Sequence, residues 1–597
     1  MVRLAHRRPI SGRLYYGEDP RRLKFRFKRG AQGFLGDADL WDMRVPRLIS
    51  LLVTVTALAL PAAAQAAGAS VGPPVSVPAT ETQVPPGFST SAREVKAIAS
   101  RVPQMRAQQR RHPTAKLDVL IWGTEQWNVT LLGKGDRPLA LVTLGADGTV
   151  RQVRTGLAAG GSFAEGNFDQ TFRQPWLLAL FGLLFLAPFV DPRRLRRLLH
   201  LDLLVLLSFC ASYLLYEHGR PEAAVLLFYP PLAYLLARLL AAGLRPRARR
   251  GRLVPVLPTV ALLVGVVALF GARVALNVAD GKVIDVGYAS VVGADRLAHK
   301  QELYTDNDIH GDTYGPINYL AYVPFELAFP WKGEWDGLPA AHAATLTFDL
   351  LTLVGLFLLG SQMRAGPEGR RLGLALAWAW AAFPFTLLGV MQNTNDGLVA
   401  LLMVAALLAL RSAGARGALL GLAAATKFFP GALLLLVARG RDGGDRRAWL
   451  RAGAACVGVF AFAFAMNVPA GGLRALWNCT LGFQLSRSPD FSLWAMDPGI
   501  GWTQTALQVL AVGIALLVAV LPRGRRSLAQ VAALAGAIMI ALELPAGHWF
   551  YFYIAWFAPF ALVGLFGEHR EPAAASGAKL EGDASASAHP PVIPLAA

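Results

Sequence analysis

Residues 253–288 read LVPVLPTVALLVGVVALFGARVALNVADGKVIDVGY. Residues 253–276 are apolar over a length that crosses a hydrocarbon core, which takes about 20 helical residues. The next residues turn polar and acidic, with Asp280 and Asp285 just beyond the helix end. An apolar run with a short acidic exit sets the reading for the rest of the chain. Further runs lie at 174–190, 199–216, 222–241, 340–361, 372–390, 396–411, 451–469, 502–521, 527–545 and 548–566. The fold expected is an all-α polytopic membrane protein of about eleven transmembrane helices.

Composition agrees. Of 597 residues, 54% are hydrophobic and 16% charged, against about 25% charged in soluble domains. Mean hydropathy is +0.41. These values exclude a disordered chain, a fibre and an ordinary soluble enzyme. Lys and Arg number 58 against 39 Asp and Glu, a net charge of +19. The excess sits in short loops between apolar runs: 191–197, 245–252, 362–371, 411–416, 439–451 and 523–526. Such a bias orients helices in a membrane and needs no nucleic-acid partner. It places those loops and the C-terminus in the cytoplasm and the intervening loops outside. Three cysteines exclude a disulfide framework; Cys210 and Cys456 read as packing residues.

Two apolar runs do not fit as full crossings. Residues 315–330 read as an interfacial or re-entrant helix on the outer face. Residues 417–437, broken by Lys427 and Pro430 and basic at both flanks, read as a hairpin of two half-helices dipping in from the cytoplasm. Non-helical backbone at that depth requires protein or a wet cavity around it. This topology puts Lys427 on the side away from the acidic loops, in a lipid-phosphate-binding or structural role.

The N-terminal part divides by composition. Residues 1–42 are polar and Arg-rich and read as a mis-assigned start or a disordered extension. Residues 43–66 read as a signal peptide, with Arg44 and Arg47, an apolar stretch from Leu48 to Leu60, and Ala64-Gln65-Ala66 as the cleavage site. An uncleaved anchor helix is the alternative. Residues 67–90 are a Pro/Ala/Ser/Thr-rich linker. Residues 91–172 form a small α+β extracytoplasmic domain: a helix over 91–110, then alternating strands around Trp127–Leu131 and Leu139–Thr143, with a turn at Asp147-Gly148 before Val150. The pattern Trp127-Asn128-Val129-Thr130, Leu141-Val142-Thr143 and Asp147-Gly148-Thr149-Val150 resembles a PepSY domain, which implies binding or regulation rather than chemistry; a folded spacer is the plainer reading. Residues 173–252 hold additional transmembrane helices, 253–567 the main membrane domain, and 568–597 a disordered cytoplasmic tail.

The chemistry-bearing residues gather in the outer loops. Loop 277–314 holds Asp280, Asp285, Tyr304, Asp306, Asp308, His310, Asp312 and Tyr314. Loop 391–396 holds Asn393, Asn395 and Asp396. Loop 470–501 holds Arg487, Asp490 and Trp494, and the last outer turn holds His548. A transporter would place such groups mid-helix, whereas most spans here contain no charge.

Ile284-Asp285-Val286-Gly287-Tyr288 with Gly293-Ala294-Asp295-Arg296-Leu297 and Leu303-Tyr304 resembles the first outer loop of glycosyltransferase family 87. That family belongs to the C-type (GT-C) superfamily of transferases using polyprenyl-phosphate sugars. Tyr314-Gly315-Pro316 with Tyr319, Tyr322 and Pro324 resembles the Tyr/Pro stretch after that loop. Gly421 to Lys427 with Pro430 resembles the superfamily's membrane hairpin, and Gln484, Arg487, Ser488, Ser492 and Trp494 its late outer loop. His548-Trp549-Phe550-Tyr551 resembles the segment opening the last helices, although a single His precedes the Trp where the family shows Trp-x-His or paired His. The resemblance spans roughly 253–566. It implies inverting transfer of a hexose or pentose from a polyprenyl-phosphate donor to a lipid or cell-envelope glycan acceptor, on the outer face of a bacterial inner membrane. By motif position Asp285 is the base, with Asp280 as the second choice, and Arg487 and His548 meet the leaving phosphate. The substrate-binding set is Asp280, Tyr304, Asp306, Asp308, His310, Asp312, Tyr314, Asn395, Asp396 and Trp494. Against these stand plainer roles: Arg487 paired with Asp490, Asn395-Asp396 capping a helix, and His548 as an interfacial His beside Trp.

No resident cofactor or metal site emerges from the residues. Asp306 to Asp312 has the early spacing of a calcium loop, but its twelfth place is Ile317 instead of the bidentate Glu, so a divalent ion stays open. Two rivals remain: a transporter or flippase of lipid-linked precursors, and a non-catalytic membrane sensor.

Overall fold

The computed structural model describes residues 75–122, 126–134, 138–156, 159, 171–247, 249–305, 313–333, 338–441, 443, 445–487 and 489–570. All belong to one compact unit spanning 52–597. The N-terminal extension, the signal peptide, Asp306, Asp308, His310, Asp312 and Ser488 lie outside the described residues, as does the tail from 571.

The helix expected over 91–110 is two helices, Ala92–Arg101 and Pro103–Arg111. Pro103 causes the break: Val102 before it is extended, with φ −64° and ψ 127°, as steric clash with the proline ring favours. Ser91 caps the first helix reciprocally with Glu94. The helices cover a five-stranded antiparallel meander ordered β1-β2-β3-β4-β5: Val75–Ser76, Lys116–Trp122, Gln126–Leu132, Pro138–Gly145 and Val150–Thr155. Trp127, Val129 and Leu131 of β3 are buried in alternation. Gly148, at φ +81°, makes the expected turn, with Asp147 Oδ1 accepting the Thr149 N–H at 3.0 Å. Two findings correct the expected boundaries. β2 is an additional strand beyond those expected, and β1 comes from the presumed linker, whose Glu81 pairs with Lys96 at 2.7 Å. The sheet domain therefore begins by residue 75.

Every apolar run is helical, but not every helix spans a bilayer by length. Among the described residues six helices are long and apolar enough: Leu198–Glu217, Pro221–Leu244, Thr259–Asp280, Pro339–Met363, Arg446–Ala465 and Gly501–Val520. A seventh span would be Gly366–Ala382 with Pro384–Met391, bent by 58° where Pro384 cannot continue the ladder. Pro175–Leu186, Asp396–Leu408, Leu528–Glu543 and Ile554–Gly567 are shorter. The Gly501–Val520 helix leaves Trp502, Val509, Leu510, Val512, Leu516 and Val520 exposed, a face that suits lipid better than water.

The two partial crossings are short. Pro316–Ala328 has 13 residues, about 20 Å of helix. The hairpin consists of Ala413–Ala424, a 3-10 turn Phe429–Leu433 and Leu434–Arg439. Arg416 ties its two ends together, donating to Val437 O and Ala438 O, each at 2.7 Å. The chain thus enters and returns at one end, as expected.

The spans carry buried ionisable groups, and two of their arginines are paired with buried carboxylates. Arg273 grips Asp349 through two hydrogen bonds of 2.8 Å, and Trp380 Nε1 donates to the same carboxylate at 2.8 Å. This joins three helices: Thr259–Asp280, Pro339–Met363 and Gly366–Ala382. Arg238 bridges Asp202 at 3.1 Å and Glu568 at 2.6 Å. Glu568 belongs to the expected disordered tail, yet it is buried, and His569–Arg570 pairs in parallel with Arg249–Arg250. Residues 568–570, expected to be disordered, are therefore packed against the rest of the chain.

Removing one partner of a buried pair strands the other charge. Asp349→Ala should destabilise the protein by about 3–5 kcal/mol, and Arg273→Met combined with Asp349→Leu should recover most of that. Thermal unfolding in one detergent checks both; an additive loss in the double variant would contradict a paired role.

Candidate active site

The acidic loop after Thr259–Asp280 is fastened to the loop before Asp396–Leu408. Lys282 N–H donates to Met391 O at 2.8 Å, and Asn393 Nδ2 donates to Lys282 O at 2.8 Å. Asn277 Nδ2 reaches Val390 O at 2.7 Å and Asn393 Oδ1 at 2.9 Å. Asn393 itself adopts φ +49°, a left-handed turn that asparagine tolerates. A Cβ on Gly287 would stand 2.5 Å from Asn393 O, so only glycine permits this approach. The fastening sets Asp285 on the first turn of the helix Asp285–Ala298, with its Oδ1 accepting the Val286 N–H at 2.9 Å.

The hairpin tip meets these loops, which corrects the expected position of Lys427. Gly315 N–H donates to Thr426 O and Ile317 N–H to Ala425 O, each at 3.1 Å. Lys427 Nζ lies 2.5 Å from Asp396 Oδ1 and 5.3 Å from the centroids of both the Tyr314 and Trp556 rings. Trp556 Nε1 donates to the same carboxylate oxygen at 2.8 Å. The basic flanks suggested a hairpin dipping in from the cytoplasm, with Lys427 on the side away from the acidic loops. Its first half-helix has 12 residues, and about 18 Å of rise carries the tip through most of a core of about 30 Å.

The third contribution comes from the late loop. Asp490 N–H donates to Gly547 O at 3.2 Å and Trp549 N–H to Phe491 O at 3.4 Å. This local pairing sets Asp490 opposite His548, whose Nδ1 lies 2.5 Å from Asp490 Oδ1. Arg487 Nη2 lies 3.3 Å from Asp490 Oδ2. Asp490 thus bridges the two groups expected to meet phosphate. Burial opposes charge on Asp490, but His548, Arg487 and the Phe491 N–H outweigh it and hold its carboxyl below the ordinary value. Burial and then Arg487 lower the His548 imidazole below its usual value, against the pull of Asp490. With Nδ1 against Asp490, Nε2 is the ring's second hydrogen-bonding position.

These contributions form one cluster. Tyr314 is within electrostatic reach of Asp285, Asp396, Tyr319 and Tyr553. Arg487 feels Asp490, Tyr553, Tyr314 and Asp285, and His548 feels Lys427. Other predicted residues serve as supports. Tyr304 donates to Tyr314 O at 3.0 Å from a left-handed backbone, φ +66°. Asn395 Nδ2 donates to Ser290 Oγ at 3.3 Å. Asp280 accepts the Thr171 N–H at 2.8 Å. Trp494 is buried, with Nε1 donating to Pro545 O at 3.0 Å, so its ring is a strut of the late loop and not a stacking platform. Sequence reasoning missed Tyr553 and Trp556, which stack at 4.3 Å; an aromatic inside an apolar helix gives no separate signal. Among the described residues no group of three or more His, Cys, Asp or Glu could hold a metal ion.

The shared cluster makes the imidazole a reporter of its neighbours. Asp490→Asn removes the carboxylate that favours the protonated ring, so His548 should titrate at lower pH. Arg487→Gln removes a repelling cation, so it should titrate at higher pH. The pH dependence of diethyl pyrocarbonate modification at His548, read by mass spectrometry, checks both; movement in the opposite order would contradict the geometry.

Comparison with curated proteins finds no match. Comparison with protein families does. The match includes Tyr314, Asp396, Lys427, Arg487 and Asp490, and leaves Asp285 and His548 outside its ends. Residues 313–545 match the model of glycosyltransferase family 87.

Proposed function

We propose that the protein transfers a hexose or pentose from a polyprenyl-phosphate donor to a lipid or cell-envelope glycan acceptor, with inversion at the anomeric carbon. The reaction takes place at the outer face of a bacterial inner membrane, with the sheet domain outside and the C-terminus inside. The observation that carries this reading is the gathering of Asp285, Arg487, His548 and Lys427 into one cluster, within a chain whose region 313–545 matches family 87.

The acceptor hydroxyl attacks the anomeric carbon. Its oxygen forms the new glycosidic bond, its proton passes to the Asp285 carboxylate, and the bond from the anomeric carbon to the phosphate oxygen breaks. The electron pair leaves on the polyprenyl phosphate. Proton removal in step with attack is ordinary general-base catalysis. The charge arriving on the phosphate needs cations already in place. Arg487 supplies a permanent one with two-pronged geometry. His548 gains a proton more readily beside a phosphate, and Asp490 steadies the imidazolium. Lys427, at the hairpin tip, adds a third cation. Asp396 is held by Lys427 and Trp556, a structural pairing; Asp285 is assigned as base by its place in the motif. Tyr314 and the acidic run 306–312 serve the sugar and its acceptor, with Tyr304 holding Tyr314 from behind.

The buried charges of the spans favour this reading over transport, because Arg273 is locked to Asp349 and Arg238 to Asp202 and Glu568.

Asp285→Asn should lower glycan transfer by about 10²-fold or more while expression and thermal stability stay normal. Transfer from a polyprenyl-phosphate sugar in purified, lipid-reconstituted protein checks it. Retained activity would remove Asp285 from the base role.

A further inference from the structure

The helices Leu198–Glu217 and Pro221–Leu244 lie outside the family match, and the sequence assigns them no task. The structure gives them one. Phe228 stacks on Trp549 at 4.2 Å and 27°, and Phe209 stacks on the same indole at 6.0 Å and 24°. Ser212 Oγ and Tyr551 Oη are 2.7 Å apart. Tyr229 Oη accepts the Leu493 N–H at 3.3 Å. Phe491 packs edge-on against Tyr216 at 5.5 Å and lies 5.7 Å from Phe228. Phe491, Trp549 and Tyr551 are fully buried.

These contacts fall on residues adjacent to the site's own. Phe491 follows Asp490, and Trp549 follows His548. Adjacent residues share a peptide unit, and the two segments are hydrogen-bonded to each other through Asp490 N–H to Gly547 O and Trp549 N–H to Phe491 O, so fixing Phe491 and Trp549 restricts where Asp490 and His548 can lie. The wall therefore holds both paired segments from behind. Trp549 is tied further by its Nε1, which donates to Glu543 Oε2 at 3.0 Å.

We propose that Phe209, Ser212, Phe228 and Tyr229 are positioning residues of the transfer site: through Trp549, Tyr551 and Leu493 they set the aim of His548 and Asp490 toward the phosphate of the donor. The two helices are thus part of the working transferase, not an appended anchor. The role assigned to the phosphate rests on the function proposed above; the positioning of His548 does not.

The imidazole provides the readout. Its surroundings are Arg487, Asp490, Lys427 and Tyr553, and burial is the main reason its titration lies low. Loosening the wall exposes the ring without altering those groups. The experiment uses the full chain in lipid nanodiscs, with Phe228→Ala as the strong variant and Tyr229→Phe and Ser212→Ala as mild ones that preserve volume. Leu204→Ala, at a position 53% exposed on the same helix as Phe209 and Ser212, is the control. His548 modification by diethyl pyrocarbonate is followed against pH, and transfer is measured with saturating and limiting polyprenyl-phosphate sugar.

The expected result has two parts. The pH midpoint of His548 modification rises toward the ordinary histidine value in Phe228→Ala, less so in the mild variants, and not at all in Leu204→Ala. The kcat falls on the order of tenfold or more in Phe228→Ala, while KM for the donor changes little. An unmoved midpoint in all three wall variants, with protein that still melts as a folded species, would overturn the proposal. A wild-type protein that transfers no sugar would count against the functional reading alone, because the midpoint still decides whether the wall sets His548.

Discussion

A lysine at a hairpin tip and an aspartate at a helix start hold the site in one piece. Lys427 is nearly buried among helices, where an isolated ammonium would be costly. The Asp396 carboxylate at 2.5 Å and the two ring faces at 5.3 Å answer that cost. Four stretches of chain depend on the contact: the hairpin, the helix Asp396–Leu408, the turn at Tyr314-Gly315 and the last helix through Trp556. Without it the half-helices would bring an uncompensated cation, and backbone carbonyls at the break, into an apolar interior. The close approach at Gly315, where a Cβ would lie 2.0 Å from Ala425 O, belongs to the same constraint.

Around this junction the protein uses polar pairs for two different tasks. Deep pairs such as Arg273 with Asp349 are closed: each hydrogen-bonding direction is taken up by a neighbouring helix, and the pair acts as a bolt. The cluster of Asp490, Arg487 and His548 is open by comparison. Arg487 keeps 38% of its side chain exposed, and His548 holds one ring nitrogen beyond its bond to Asp490. Open cations next to closed ones distinguish a place for a ligand from a place for a fold. The aromatic wall of the two early helices fits this division, since it supplies stiffness behind the open cluster without adding charge to it.

Much of this was legible in the residues. Apolar runs located the long helices among the described residues, because period and length are properties of local sequence, but six or seven of them, not eleven, have the length of a span. Depth was not legible: the flanks of the hairpin said where it begins, and nothing in the sequence said how far Lys427 rises before Pro430 turns it. Roles set by long-range packing were equally hidden. Trp494 looked like a sugar platform until its indole was found bonded to Pro545 O, and Tyr229 and Ser212 carried no sign of reaching the late loop. The break at Pro103 could have been read from the proline itself. The β2 strand could not be separated from other short apolar stretches by periodicity.

The central claim is that the hairpin tip, the acidic loop and the late loop share one face of the membrane. Single cysteines at positions 282, 427 and 441, introduced into a chain lacking Cys210, Cys456 and Cys479, test it with a membrane-impermeant thiol reagent applied to one side at a time. Lys282→Cys and Lys427→Cys should react from the outer side and Arg441→Cys from the inner side. A position 427 that reacts only from the side of position 441 would contradict the account.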